Sequence, residues 1–171
     1  MAAATTTRRP QDALLKPPDT GLQAWRNLLT AHSQLLATLD HELRQAHGLT
    51  IGDYDVLVHL ADQPRTGLRM CELAEAVVLS PSGISRRVDR LERDGLVVRE
   101  RDAGDARNVK ARLTDRGKTL FRRVRKTHLA DVREHFVDRF DERELEALRD
   151  MLGRLLGSGG DTCPTSATTV E

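Results

Sequence analysis

Apolar residues recur every three or four positions through much of the chain, which is the spacing of amphipathic helices. The first such stripe covers 22–47, and Gly48 is a natural end for that helix. Thr50 and Asp53 have the spacing of a capping box, so a second, shorter helix is predicted from there to the turn at Pro64. The chain is therefore expected to be helical from 22 to about the turn at Pro64, apart from the break after Gly48.

The pattern then predicts two further helices with a tight turn between them. Met70 is read as a short extended connection, and 72–78 as a helix of about two turns. Ser80 and Pro81 are residue types preferred at the N-cap and the first helical position, and Gly95 follows the end of the apolar pattern. These features predict a capped fourth helix.

After Gly95 the apolar period changes from helical to two. The runs 96–99 and 109–113 favour strands, and the polar stretch between them predicts a hairpin with a flexible tip. Thr114 caps a long helix, and Asp141 with Glu144 begins a last one. This order predicts a mainly α protein with a small β-hairpin wing (α+β), which is a winged helix-turn-helix.

Composition supports helices but does not by itself indicate a partner. Aromatic residues are 3 % of the chain, and 27 Lys and Arg against 26 Asp and Glu leave a formal net charge of +1. Nine basic residues against six acidic ones give the window 80–112 a charge of +3. No apolar run reaches the roughly 20 residues needed to cross a bilayer, so we expect a cytoplasmic protein with no membrane contact.

The helix after Ser80 has the features of a DNA-reading helix. If its apolar side faces inward, its serines and arginines face mostly outward, where guanidinium groups can reach guanine edges or phosphates. Gly83 would let the backbone approach closely. The alternative is that these arginines only solvate a surface helix, with Arg90 paired to Glu92 or Asp94.

The hairpin adds a second candidate contact. Arg107 lies near its tip, where an arginine can enter a narrow minor groove, and Asp105 would brace the loop. Together, the helix and the hairpin supply these candidate DNA contacts: Ser80, Ser82, Gly83, Ser85, Arg86, Arg87, Arg90, Arg101, Asp105 and Arg107.

Residues 80–117, SPSGISRRVDRLERDGLVVRERDAGDARNVKARLTDRG, resemble the MarR (multiple antibiotic resistance regulator) family. The most specific pieces are SRRVDRLERDGLV, then DAR followed by RLTDRG, which are similar in order and spacing to the recognition-helix and wing signatures of that family. The similarity extends over roughly 22–156. It implies a ligand-responsive repressor that binds a pseudopalindromic operator in double-stranded DNA as a homodimer.

The resemblance also assigns roles within the candidate set. Asp105 and Arg107 match the acidic and basic positions of the wing motif. Four residues fall on the face of the recognition helix that enters the major groove: Ser82, Ser85, Arg86 and Arg87.

The terminal helices carry apolar stripes that a winged domain of about 90 residues cannot cover, which favours a dimer. We expect 22–29 and 136–156 to form the interface. The predicted parts are a flexible arm 1–20, a winged-helix domain 21–157 and a flexible tail 158–171. Within the domain, the DNA-binding lobe is about 51–113 and the dimerisation helices are about 22–47 and 114–157.

The family resemblance implies an effector crevice between the dimerisation helices and the DNA-binding lobe, for a small aromatic or phenolic anion. An aromatic ring and a cation could hold such a molecule. The residues that would line the crevice are Trp25, Arg26, His32, Tyr54, Asp55 and His59. Each of them is more often simply a core or surface residue.

Other chemistry has little support in the sequence. Ser82 and Ser85 have no accompanying His/Asp arrangement or glycine-rich phosphate loop, so we expect neither an enzyme nor a cofactor. No Cys/His cluster has the spacing of a metal site. Cys71 is expected to pack as a small apolar residue, and Cys163 falls in the tail. A different class of function, a winged-helix module that contacts protein instead of DNA, remains the alternative.

Overall fold

The computed structural model describes residues 19–77, 81–102 and 105–156, with the backbone alone described at 81, 82, 101, 102 and 105–108. Within these ranges the helices are α1 (Thr20–His47), α2 (Ile51–Asp62), α3 (Met70–Ala76), α4 (Pro81–Arg93), α5 (Asp115–His135) and α6 (Glu142–Leu156), with a 3-10 turn at Val137–Arg139. The strands are β1 (Leu68–Arg69), β2 (Val97–Asp102) and β3 (Asp105–Leu113). The predictions for Ser80, Cys163, the C-terminal tail 158–171 and residues 1–18 of the arm lie outside the described residues, whereas Asp19 and Thr20 are the N-cap and the first residue of α1.

Helix ends follow the local chemistry that the sequence predicts. Gly48 ends α1 with a φ of 68°, and its N–H bonds the carbonyl of Arg44. Thr50 and Asp53 form the expected capping box at the start of α2. Thr114 caps α5 by accepting a hydrogen bond from the Gly117 N–H at 3.0 Å.

Three local predictions around the sheet and α3 are corrected. Met70 is the first residue of α3, and the extended connection is one step earlier, at β1. Both strands of the hairpin are longer than predicted, because their pairing continues beyond the apolar residues to Asp102 and Asp105. Cys71 is exposed in the first turn of α3 and does not pack in the core.

The strands form one antiparallel sheet in the order β1-β3-β2. Leu68 pairs with Ala111, and Val97 pairs with Leu113, so that the inner ends of β2 and β3 lie over the helices. The hairpin of β2 and β3 directly follows α4 in the chain. The hairpin therefore projects beside α4, as the mainly α, winged arrangement requires.

One apolar core joins α2, α3, α4 and the sheet to the end of α1 and to α5. The predicted inner face of α4 is confirmed, because Ile84, Val88 and Leu91 are fully buried. Gly117 allows α5 to approach the sheet, since a Cβ there would lie 2.0 Å from the carbonyl oxygen of Leu96. The core positions the outer face of α4 by holding its inner face.

The apolar residues of α1 and α6 behave differently from this core. In α1 only Leu39 and Leu43 are buried, and α6 has no buried residue. Large apolar side chains stay exposed on both helices and near them: Leu22, Trp25, Leu28, Leu29, Leu36, Leu129, Phe140, Met151, Leu155 and Leu156. None of the described helices combines the length and apolarity required to cross a bilayer.

Candidate nucleic-acid interface

The outer face of α4 is set by the burial of its inner face. Ser85 and Arg86 are exposed, on the side of the helix turned away from the core. Gly83 is partly exposed one turn earlier. An exposed guanidinium and a hydroxyl on a rigid helix can both donate to phosphate oxygens or base edges.

Beside this face lies an open depression of about 310 Å³ between α4 and the start of α2. Its wall is basic, and the residues that line it are Thr50, Gly83, Arg86, Arg87, Arg90 and Arg93. Four guanidinium groups around one open surface favour contact with a polyanion. We call this surface the arginine depression.

Arg87 and Arg90 do not point freely outward, which corrects the expectation drawn from helical spacing. Arg87 Nη1 lies 3.2 Å from Asp53 Oδ1, and Arg90 Nη2 pairs with the other oxygen of the same carboxylate. Asp53 is completely buried, whereas the two arginine side chains keep 24 % and 40 % of their surface exposed. The predicted alternative partners of Arg90, Glu92 and Asp94, are not the ones it uses.

The Asp53 carboxylate also belongs to the capping box of α2. Oδ2 accepts hydrogen bonds from the Thr50 N–H at 2.8 Å and from the Thr50 hydroxyl at 2.6 Å. That hydroxyl in turn accepts from Arg87 Nη1 at 2.7 Å. The start of α2 and the middle of α4 are thus joined by one polar cluster, formed by Thr50, Asp53, Arg87 and Arg90.

A second carboxylate ties α1 to the same point. Asp40 Oδ1 accepts from the Ile51 N–H at 2.8 Å, and Oδ2 accepts from Arg44 Nε at 2.6 Å. Burial of Asp40 opposes its ionisation, but these hydrogen bonds and the charges of Arg44 and Arg87 outweigh that effect and lower its pKa. The start of α2 is therefore held from both α1 and α4.

On its other side, α4 is fastened to the wing by Arg99 of β2. The guanidinium contacts the carboxylates of Asp89 and Glu92 and donates to the Ser85 carbonyl oxygen at 3.2 Å. The Arg99 N–H also donates to Glu92 Oε1 at 3.1 Å. Helix and hairpin are thereby held in one fixed relation.

The remaining predicted DNA contacts are only partly described. The side chains of Ser82, Arg101, Asp105 and Arg107 lie outside the described part of the chain, and so does the whole of Ser80. The backbone places 101, opposite Val109, and also 105 and 107 in the outer part of the β2–β3 hairpin.

The predicted effector residues fall into two groups. On α2, the Tyr54 ring lies 4.4 Å from the His128 ring and 6.1 Å from the Phe121 ring, and both of these rings belong to α5. His59 lies 3.6 Å from Asp55 on the same helix. Burial raises the pKa of Asp55, although the charges of His59 and Arg87 act against that change.

The second group is Trp25, Arg26 and His32, which are exposed on the first half of α1. At 1.5 Å per residue, Trp25 lies about 21 Å along the helix from Leu39, where α1 first becomes buried. Within one protomer this separates the Trp25 group from the buried end of α1. Among the described residues, no cluster of three or more His, Cys, Asp or Glu side chains could hold a metal ion.

Sequence reasoning missed three residues that organise this surface. Asp53 was interpreted only as a capping residue, Arg99 only as part of a strand, and Asp40 not at all. A carboxylate at the third position of a helix gives no signal that it also binds arginines 34 and 37 residues later. The absence of a side chain at Gly52, directly under the Arg87 guanidinium, was the nearest available sign.

Comparison with known proteins agrees with this fold. The sequence profile of the MarR family matches residues 47–108. An HTH-type transcriptional regulator of Bacillus cereus is 31 % identical over 118 residues, which is 68 % of this chain and 76 % of the relative.

Two solved structures from Streptomyces coelicolor are also similar. AbsC, a MarR family transcriptional regulator, is 36 % identical with a TM-score of 0.72 over 82 % of this chain and 95 % of its own. Sco3205, a MarR family regulator solved in complex with DNA, is 33 % identical with a TM-score of 0.74 over 82 % and 89 %. With a winged fold, a basic helix surface and these relatives, the chain belongs to the MarR family of DNA-binding transcriptional regulators.

Proposed function

We propose that this protein is a ligand-responsive repressor that binds an inverted-repeat operator as a homodimer, with α4 in the major groove. The observation that carries the proposal is the exposed Ser85–Arg86 surface beside the arginine depression. That surface is held on one side by α2 and on the other by the wing. A rigid donor surface of this kind is what base reading requires.

The geometry divides the candidate contacts by role. We assign base edges to Ser85 and Arg86, because their side chains are exposed on the outer face of α4. We assign phosphates to Arg87 and Arg90, because Asp53 holds them at the edge of the helix. Ser80, Ser82, Gly83, Arg101, Asp105 and Arg107 stay proposed contacts on the grounds given by the sequence.

The homodimer is proposed from the exposed apolar residues of α1 and α6. Two copies related by a twofold axis would cover these side chains and present two α4 helices to successive major grooves, about 10 bp apart. We propose a winged-helix domain of 21–157, with the predicted arm 1–20 and tail 158–171 outside it. Its DNA-binding lobe would be about 51–113, between dimerisation helices at about 22–47 and 114–157.

The DNA-binding proposal is tested by selecting genomic fragments bound by the purified protein and measuring Kd for the enriched fragment and for a scrambled one. Sco3205, solved with DNA, makes this the first activity to test. The enriched fragments should share an inverted repeat, and affinity should fall steeply with salt. Equal affinity for both fragments at moderate salt would contradict sequence-specific binding.

Arg86→Ala tests the assigned face, with Arg125→Ala as its control, because Arg125 is exposed on α5. Loss of a base contact should weaken binding to the enriched fragment about 5- to 100-fold and relax specificity. The control should stay within about twofold. If both variants bind as the wild type does, the assignment of α4 as the reading helix is wrong.

The alternative is a winged-helix module that contacts protein instead of DNA. The observation that favours it is the near-neutral net charge of the chain. The two readings predict opposite results for the double variant Arg86→Ala, Arg107→Ala. A DNA reader loses its fragment, whereas a protein-binding module keeps its partner.

Ligand response is proposed for the contact between α2 and α5, where Tyr54, Phe121 and His128 bring three rings together. A small aromatic or phenolic anion is the chemistry we propose, with Asp55, His59, Trp25, Arg26 and His32 as further candidates. Titration of the protein–DNA complex with 4-hydroxybenzoate should release DNA from the wild type and do so less readily from Tyr54→Ala. Release that is unchanged in the variant would place the ligand elsewhere.

A further inference from the structure

We propose that Asp53 is a positioning residue for DNA reading: its buried carboxylate holds Arg87 and Arg90 and thereby sets the orientation of α4 on α2. This inference rests on the proposed function, since it concerns how α4 reads DNA. Asp53 itself touches no surface that DNA could reach, because it is completely buried.

The first support is the number of bonds that meet at this one side chain. Its two oxygens are shared by the Thr50 N–H, the Thr50 hydroxyl, Arg87 Nη1 and Arg90 Nη2. A capping box requires only the first of these donors. The two guanidinium contacts are additional, and they cross from α2 to α4.

The second support is the space that the chain leaves for Arg87. A Cβ on Gly52 would lie 2.6 Å from Arg87 Nη1 and 2.7 Å from Cζ. The guanidinium therefore rests against the backbone of the first turn of α2. It is held there by Asp53 at 3.2 Å and by the Thr50 hydroxyl at 2.7 Å.

The third support is electrostatic. Removing one partner of a buried charge pair leaves an uncompensated charge, so the Asp53 carboxylate binds its arginines strongly as long as it stays buried. With the carboxylate present, Arg87 and Arg90 have a fixed direction. Without it, the Arg87 and Arg90 side chains would be flexible cations beside the DNA groove and could bind any phosphate. Such contacts raise DNA affinity but do not depend on the base sequence.

The proposal predicts a loss of specificity and not a uniform loss of binding. Asp53→Asn keeps the size of the side chain and an oxygen that can cap α2, but it removes the charge. We expect the ratio of affinities, enriched fragment over scrambled fragment, to fall at least tenfold. Affinity for the scrambled fragment should be unchanged or higher, because the two arginines are released.

Two variants control this experiment. Asp62→Asn makes the same charge change at an exposed position on α2, and it should leave both affinities within about twofold. Asp53→Glu restores the charge and is compatible with a capping box, so it should recover part of the specificity. Kd values are measured well below the melting temperature that circular dichroism gives for each variant.

Gly52→Ala keeps the test decisive if Asp53→Asn does not fold. Its methyl group would displace the Arg87 guanidinium while Asp53 and every charge remain, so the affinity ratio should again fall. A ratio that stays at the wild-type value, or an equal loss for both fragments, would overturn the positioning role. If the wild type itself prefers no fragment, the proposed function has failed, which is a different result.

Discussion

Arg99 Nη2 donates a hydrogen bond to the backbone carbonyl oxygen of Ser85 at 3.2 Å, so the wing strand β2 is joined to α4 at a residue of its exposed face. The same guanidinium contacts Asp89 and Glu92 on α4. If the wing moved independently of α4, the helix and the wing could not be held together in adjacent grooves of DNA. Arg99 removes that freedom.

Arg99→Gln should lower both stability and DNA affinity. Hydrogen bonds to charged groups contribute about 1.5 to 3 kcal/mol each when buried, and this one is partly exposed, so we expect a loss of about 1 to 2 kcal/mol. Urea denaturation measures the free energy of unfolding, and fluorescence anisotropy measures DNA affinity. Arg125→Gln, on an exposed part of α5, should change neither. An Arg99→Gln variant with wild-type affinity would show that the wing is positioned without this link.

Gly117→Ala should destabilise the fold severely, because the new Cβ would lie 2.0 Å from the Leu96 carbonyl oxygen. The backbone at Gly117 and at Leu96 must then move apart, and overpacking of this kind lowers the free energy of unfolding by about 1 to 3 kcal/mol or more. Gly153→Ala is the matched control, since a Cβ there meets nothing within 4 Å in α6. It should stabilise the helix by up to about 1 kcal/mol. Thermal denaturation of both variants checks the contrast, and similar melting temperatures would contradict it.

Acidification should destabilise the protein through His128. Burial lowers the pKa of His128 below its ordinary value near 6.5, although the charge of Asp131 acts the other way. The unfolded chain therefore takes up its proton first as the pH falls. Stability is lost from about pH 6.5 down to the lower pKa of the folded state, and it changes no further below that.

The measurement is the free energy of unfolding across this pH range for wild type and His128→Gln. The groups that face His128 are Tyr54 of α2 and Asp131 of α5, and burial together with the charge of Glu42 raises the pKa of Asp131. Because its pKa is raised in the folded state, Asp131 takes up a proton there before it does in the unfolded chain. Its protonation therefore adds stability as the pH falls, which is opposite in sign to the effect of His128. The difference between the two curves isolates His128, and His41→Gln, at an exposed position, is the control. Parallel curves for all three proteins would contradict the prediction.

Trp25→Glu should prevent or weaken dimer formation, since it places a charge among exposed apolar side chains such as Leu22 and Leu29. Gln34→Glu adds the same charge to the same helix. At 100° per residue it lies on the opposite side from Trp25 and should leave the dimer intact. Sedimentation velocity gives the oligomeric state. A Trp25→Glu variant that sediments as the wild type does would exclude this face from the interface.

Features that depend on residues three or four positions apart could be predicted from the chain alone. The capping box of Thr50 and Asp53, the cap at Thr114, the end of α1 at Gly48 and the buried face of α4 all belong to this class. Their physical cause is local, because helix ends need nearby hydrogen-bond partners and apolar spacing sets which face is buried. The winged order of elements followed from them.

The directions of Arg87 and Arg90 were decided only by the tertiary structure. Helical spacing allows both to face outward, with the local acids Glu92 and Asp94 as alternative partners for Arg90. The partner they use is Asp53, which precedes them by 34 and 37 residues. Its pairing depends on how α2 and α4 pack around a core that also includes the sheet and α5. The sequence by itself determined that this chain has a basic helix beside a wing, whereas the packing of α2 on α4 decided which of its arginines remain available.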